Sequence, residues 1–127
     1  MANTPAELRY TKSHEWVKEE DGVLVVGLTD YAQSELGDIV FINLPEVGDP
    51  VEVEAAFSDV ESVKAVSDVF SPASGTVAEV NEELLDAPQL INEDPYAAWL
   101  IKISDVTETE ELLDAAAYDA LCEAEQN

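Results

Sequence analysis

A single cysteine, Cys122, and a single histidine, His14, are all that the sequence holds of either type. No internal disulfide can form, and a metal cluster built from cysteines and several histidines is excluded. Cys122 lies in an acidic stretch near the end of the chain. Neighbouring carboxylates disfavour a thiolate there, so no reactive thiol is expected. The five glycines stand too far apart to write a Walker loop or a dinucleotide-binding loop. No Gly-x-Ser-x-Gly elbow occurs, which leaves His14 without a nucleophile to serve as base, and it reads instead as a histidine packed beside Trp16. Long apolar runs are missing too. The run Val23-Leu24-Val25-Val26 falls far short of the roughly 20 residues that cross a bilayer. The first residues carry no basic-then-apolar signal and no arginine-rich leader, so the cytoplasm is the expected place of work.

Positive charge is scarcest of all. Five lysines and arginines stand against 29 aspartates and glutamates, a net charge of −24. Such a chain repels phosphate backbones and anionic headgroups, so neither nucleic acid nor a membrane is expected as a partner. Self-repulsion of this size destabilises a compact state until salt screens it. Two explanations for the acid stand: a composition resembling adaptation to a cytoplasm of molar salt, or a docking surface for basic partner enzymes. The acids are spread along the whole chain rather than gathered in one block, which favours the first and a halophilic source. Pairs such as Glu19-Glu20 and Glu110-Glu111 read as solvated faces, not as paired catalytic carboxylates.

What is present is the composition of a globular protein, 46% hydrophobic over 127 residues, enough for one domain (1–127) with a modest core. The pattern is mainly β. Short strands are expected over 8–11 and 13–18, then a turn at Glu19-Glu20-Asp21-Gly22 and a buried strand over 23–28. Thr29 and Asp30 cap a short helix, with Gln33 three residues after Asp30, Ala32 and Leu36 facing inward and Gly37 as its stop. Strands follow over 39–42, 51–57, 76–80 and 99–103, with a helical turn near Leu84-Leu85. Residues 47–53 and 74–80 are weakly alike, a hint of the internal symmetry of a flattened β-barrel. From Thr107 the period becomes helical. Thr107 and Glu110 form a capping box, and Leu112, Leu113, Ala116, Ala120 and Leu121 share one face, so a helix over about 107–124 is expected to pack on the barrel.

Lys64 stands apart, in Glu61-Ser62-Val63-Lys64-Ala65 between two strand-like runs, near the tip of a hairpin. It reads either as a solubilising surface lysine or as an amine presented for acylation. The sequence avoids lysine elsewhere, and Val63, Ala65 and Val66 are apolar where turn chemistry prefers polar residues; both facts favour presentation.

This pentapeptide resembles the lipoylation motif of the glycine cleavage system H-protein family. Further stretches match that family in order: Tyr10-Thr11-Lys12-Ser13-His14-Glu15-Trp16; Gly27-Leu28-Thr29-Asp30-Tyr31-Ala32-Gln33; the run from Leu36-Gly37 to Leu44-Pro45; Ser71-Pro72-Ala73-Ser74-Gly75; and Leu90-Ile91-Asn92-Glu93-Asp94-Pro95-Tyr96. The resemblance implies a flattened β-barrel or sandwich of the biotinyl/lipoyl-carrier (barrel-sandwich hybrid) type, with short helices and a C-terminal helix. It implies a non-catalytic carrier with lipoate in amide linkage to Lys64. The implied partners are a glycine decarboxylase (P protein), an aminomethyltransferase (T protein), a dihydrolipoamide dehydrogenase (L protein) and a lipoyl-attaching enzyme. The family's arm cleft maps onto Ser13, Glu15 and Asp68, with Leu28 and Leu36 as its apolar wall. Two departures are visible: Ala97-Ala98-Trp99 stands where glycines are usual, and the acid surface is far heavier. A lipoyl domain of, or lipoyl-relay protein for, 2-oxoacid dehydrogenases is the nearest alternative, although such domains usually carry Asp-Lys-Ala rather than Val-Lys-Ala. A biotin carrier would place methionine beside the lysine, and the only methionine is Met1. An unmodified acidic scaffold is the third reading.

The charge reading has a direct test. The thermal midpoint is expected to rise between dilute buffer and molar potassium chloride, by roughly 5 °C for each kcal/mol of repulsion that salt removes. Equal midpoints exclude it.

Overall fold

In the computed structural model, which describes residues 4–126, the apolar run at Val23–Leu28 is a strand buried on both faces. Val26 and Leu28 join one core cluster and Val25 the other. That explains why the run shows no alternation. This strand, β3, pairs with β2 (Glu15–Glu20) in register Glu20↔Val23 and Glu15↔Leu28. Asp21 and Gly22 close the hairpin at φ 49 and 84, the left-handed geometry that an Asp-Gly turn provides. β1 (Arg9–Tyr10) adds to the far edge of β2.

Helix α1 (Asp30–Leu36) follows. The Thr29 hydroxyl accepts from the Ala32 amide, the Gln33 amide side chain donates to Asp30, and Gly37 ends the helix at φ 80. Caps and stop stand where the sequence places them. The remaining strands are β4 (Ile39–Asn43), β5 (Pro50–Val51), β6 (Ala56–Ser62), β7 (Val66–Phe70), β8 (Ala73–Val80) and β9 (Ile101–Thr109). Short helices α2 (Glu83–Asp86) and α3 (Leu90–Glu93) precede β9, and α4 (Ala115–Gln126) comes last. One sheet has six strands in the order β1-β2-β3-β9-β8-β5; the other has three, β4-β6-β7. Their facing sides enclose Val26, Ile42, Val60, Val69, Val77 and Ile103. This is the mainly β barrel-sandwich expected. The weakly similar stretches turn out to be partners, since Pro50 pairs with Thr76 and Val51 with Gly75.

Three expectations need correction. The alternation over 51–57 is not one strand. Glu54 stands at φ 65, and its amide donates to the Ser71 carbonyl, making a corner where the chain passes from the larger sheet to the smaller. The final strand does not stop at 103: residues through Thr109 pair with the start of β8, Ala73 opposite Thr109. The C-terminal helix therefore begins at Ala115, not Thr107, and its cap is Asp114, whose carboxylate accepts from the Ala117 amide. Leu113 is bridged to Tyr10 through two backbone hydrogen bonds before the helix starts. With the phase so reset, Ala116 and Ala120 are exposed while Tyr118 and Cys122 are buried, in a second cluster with Leu8, Tyr10, Trp16 and Tyr31. Among the described residues no helix is long and apolar enough to cross a membrane.

Trp16 lies across its strand partner Gly27, and a Cβ there would stand 2.6 Å from the indole. The indole also donates to the Pro95 carbonyl at 3.0 Å, so it cannot move aside freely. Gly27→Ala is expected to cost about 1–3 kcal/mol, read as a lowered urea midpoint; an unchanged midpoint contradicts this packing.

Candidate functional site

The hairpin of β6 and β7 is closed by backbone. The Ser62 amide donates to the Ala65 carbonyl at 2.8 Å, and the Ser62 hydroxyl accepts from the Ala65 amide at 3.1 Å. The Val63 amide donates to the Asp38 carbonyl at 3.0 Å, which pins the tip to the end of α1. Lys64 is exposed at this tip, as the sequence places it. Lys12, Lys18 and Lys102 lie 3.4, 2.8 and 3.8 Å from Glu54, Glu20 and Glu79. Among the described residues Lys64 has no such pair. Val63 and Val66 flank it at 69% and 65% exposure, with Val40 and Phe41 also exposed on the adjacent strand. Its stem passes over Gly37, where an added Cβ would meet the Lys64 Cε at 3.5 Å.

Beside α1 runs a cleft of about 210 Å³, and Ser13, Leu28, Leu36 and Asp68 all line it. The sequence names these four from distant parts of the chain, and the fold brings them together. Tyr31, Ala32 and Glu35 add the α1 side, Val60 and Val69 the small sheet. The walls are thus apolar, with carboxylates at the rim.

Glu15 differs from the other mapped residues. It is fully buried and lies behind Ser13 rather than on the wall. The Ser13 and Thr11 hydroxyls each donate to Oε1 at 2.6 Å, and the Phe70 amide donates to Oε2 at 3.3 Å. Burial raises the pKa of its carboxyl above the ordinary glutamate value, and the three donors oppose that rise only in part. A second hollow of about 310 Å³ opens on the other side of Ser13, lined also by Lys12, Glu54, Phe70 and Glu110. Here Glu110, expected as a helix-capping residue, has a buried Oε1 with no hydrogen-bond partner. Its carboxyl is raised, first by burial and then by the charges of Glu15 and Glu54.

His14 is not beside Trp16. Its backbone sits at φ 76, just before β2 begins, so the strand alternation that would put residues 14 and 16 on one side does not reach it. Trp16 packs near Tyr96 instead. The His14 ring lies against Tyr31 at 4.8 Å between centroids. Its Nδ1 is 2.8 Å from the Tyr118 hydroxyl and its Nε2 is 2.9 Å from the Glu125 carboxylate. His14 and Glu125 line the cleft, although the sequence singles out neither for it. Thr11 also went unread, though a hydroxyl at i−4 and another at i−2 from one glutamate was the available signal. Among the described residues no group of His, Cys, Asp and Glu is arranged for a metal. Burial raises the Cys122 thiol above its ordinary value, with help from Glu125 and Asp119, in keeping with an unreactive cysteine.

A family model described as Glycine cleavage H-protein matches residues 8–125. The glycine cleavage system H protein of Lachnoclostridium phytofermentans is 56% identical over 119 residues, 93% of this chain and 94% of that one. That of Halalkalibacterium halodurans is 53% identical over 128 residues, covering 98% of this chain and 100% of the relative. Among solved structures, a glycine cleavage system H protein from Mycobacterium marinum superposes with a TM-score of 0.86 at 42% identity, over 91% of this chain and 96% of that one. Matched nearly end to end in sequence and in fold, the chain belongs to the glycine cleavage H-protein family.

Proposed function

We propose that the Lys64 amine carries a lipoyl group in amide linkage, and that Ser13, Glu15 and Asp68 hold the charged end of the loaded arm while Leu28 and Leu36 pack along its chain. The chain is then a non-catalytic shuttle of the glycine cleavage system. It takes the aminomethyl group of glycine at the P protein, presents it to the T protein and passes electrons to the L protein. The observation that carries this reading is the Lys64 tip, without an ion pair among the described residues, its stem over Gly37 next to the cleft-lining Leu36, with the buried Glu15 carboxylate behind Ser13 of the same cleft.

The residues fit such a group. Leu28, Leu36, Val60 and Val69 make an apolar channel for a thin arm, and Ser13 and Asp68 meet its polar end. When bound, the lipoyl dithiolane would supply the sulfur that carries the one-carbon unit and would accept, as its S–S bond breaks, the electron pair from glycine that the L protein later removes. The protein supplies attachment, shelter and a counter-charge. In the empty cleft burial raises the Glu15 pKa. An ammonium brought near favours the carboxylate and offsets that cost, so the site binds a cation better than a neutral group. Tethering through Lys64 raises the local concentration of the carried unit at each partner.

We read the acid surface, net charge −24, as an adaptation to a salt-rich cytoplasm, since the acids are distributed rather than gathered at one face. A lipoyl domain of 2-oxoacid dehydrogenases is not favoured, because the relatives that match nearly end to end are glycine cleavage system H proteins.

Intact mass and peptide mapping after incubation with a lipoylating enzyme are expected to show one lipoyl group on Lys64, absent in Lys64→Arg. An unmodified lysine excludes the carrier. In the loaded protein, Glu15→Gln is expected to shorten the half-life before ammonia release by roughly tenfold, the scale of one charge-assisted hydrogen bond. An unchanged half-life removes Glu15 from the seat.

A further inference from the structure

We propose that His14 and Glu125 are positioning residues for the loaded arm, their hydrogen bond holding the last turn of α4 in place as the outer wall of the cleft. The inference rests on the carrier reading above and adds a part to it. Most of α4 packs elsewhere: Tyr118 and Cys122 lie in the cluster around Tyr10 and Trp16, away from the core between the sheets. Of this helix, Glu125 lines the cleft. The contact that holds its carboxylate there is the His14 imidazole. Nε2 meets the Glu125 carboxylate at 2.9 Å, and Nδ1 meets the Tyr118 hydroxyl, two turns earlier on the same helix, at 2.8 Å.

The bond continues inward. The Tyr118 hydroxyl lies 2.7 Å from the Thr29 hydroxyl, and Thr29 accepts from Ala32 as the N-cap of α1. One ring therefore joins the two helices that border the arm's channel. A neutral ring lets Nε2–H donate to Glu125 and Nδ1 accept from Tyr118 while Thr29 donates to the Tyr118 oxygen, which also lies in hydrogen-bond contact with Cys122. The backbone is held at φ 76 to allow this, a conformation that costs a β-carbon residue on the order of 1 kcal/mol. Ser13 lines the cleft with Glu15 buried behind it, while the ring between them in sequence also lines the cleft and reaches α4. Strain kept in the middle of the seat motif is the mark of a geometry the site needs. Glu125 is 43% exposed on its side chain and His14 only 18%, so the contact stands at the boundary between cleft and solvent, where water would enter.

The test uses the full chain, lipoylated on Lys64 and loaded with the aminomethyl group, with ammonia release timed at fixed pH and high salt. Glu125→Ala is expected to shorten the half-life roughly fivefold with its thermal midpoint unchanged. Glu125→Gln keeps an oxygen to accept from Nε2–H and is expected to stay within about twofold of the parent. Equal half-lives in parent and Glu125→Ala overturn the proposal. A glutamine variant as short-lived as the alanine one also overturns it, because the rim charge and not the bond would then be at work. A parent chain that takes up no aminomethyl group overturns the carrier reading itself, and the latch with it.

Discussion

A carboxylate with no solvent contact ties this structure together. Glu15 leaves the larger sheet on β2 and is met by the Phe70 amide on β7 of the smaller one, with the Ser13 and Thr11 hydroxyls completing its shell. Burying a charge is costly unless hydrogen bonds replace water, and here burial outweighs the donors, because the carboxyl remains raised. A packed apolar residue would serve stability as well or better. Its presence therefore marks a position where the fold accepts a cost, and that position is the back of the cleft. Glu110, whose carboxyl pKa is raised by burial and by the charge of Glu15, adds a second acid to the same region, its buried Oε1 without a hydrogen-bond partner.

Charge outside the core follows the opposite logic. With a net charge of −24 the acids lie mostly at the surface, and the lysines at 12, 18 and 102 sit beside carboxylates in exposed pairs worth little individually. Among the described residues Lys64 is the one lysine without such a partner, and it is set on a tip defined by two backbone hydrogen bonds and one to the Ser62 hydroxyl. An ammonium already paired with a carboxylate would be a poorer substrate for acylation than a free one. For the attachment proposed above, the exposure of Lys64 is an advantage.

Much of this was legible locally. The uniform apolar run of β3, the Asp21-Gly22 turn, the Thr29 cap and the Gly37 stop depend on residues within a few positions of one another. So does the hairpin tip at Lys64. The errors arise where distant pairing decides. Alternation reads the same through the corner at Glu54 as along a straight strand, and Thr107 with Glu110 spells a capping box whether or not β8 claims those residues as a partner. The helix phase then failed, and with it Tyr118 and Glu125 were lost from view. The cleft residues Ser13, Leu28, Leu36 and Asp68 were reachable only through the family motif, since nothing in their spacing shows that they converge.

On the carrier reading proposed above, the lysine has to serve two surroundings, the active sites of other proteins and the cleft of its own. The Lys64 stem lies over Gly37, where a Cβ would meet its Cε at 3.5 Å, and the φ of 80 there disfavours any replacement. Which surrounding is occupied is then a matter of differential free energy. On that reading the apolar wall would attract the arm in every state, whereas Glu15, Asp68 and the rim acids would distinguish only a positively charged end. Docking therefore deepens when the carried group brings its ammonium and relaxes when that group leaves. On the proposed reading, a barrel with a fixed acid behind its cleft needs no moving part of its own to shelter its cargo and release the empty arm, because the cargo supplies the switch.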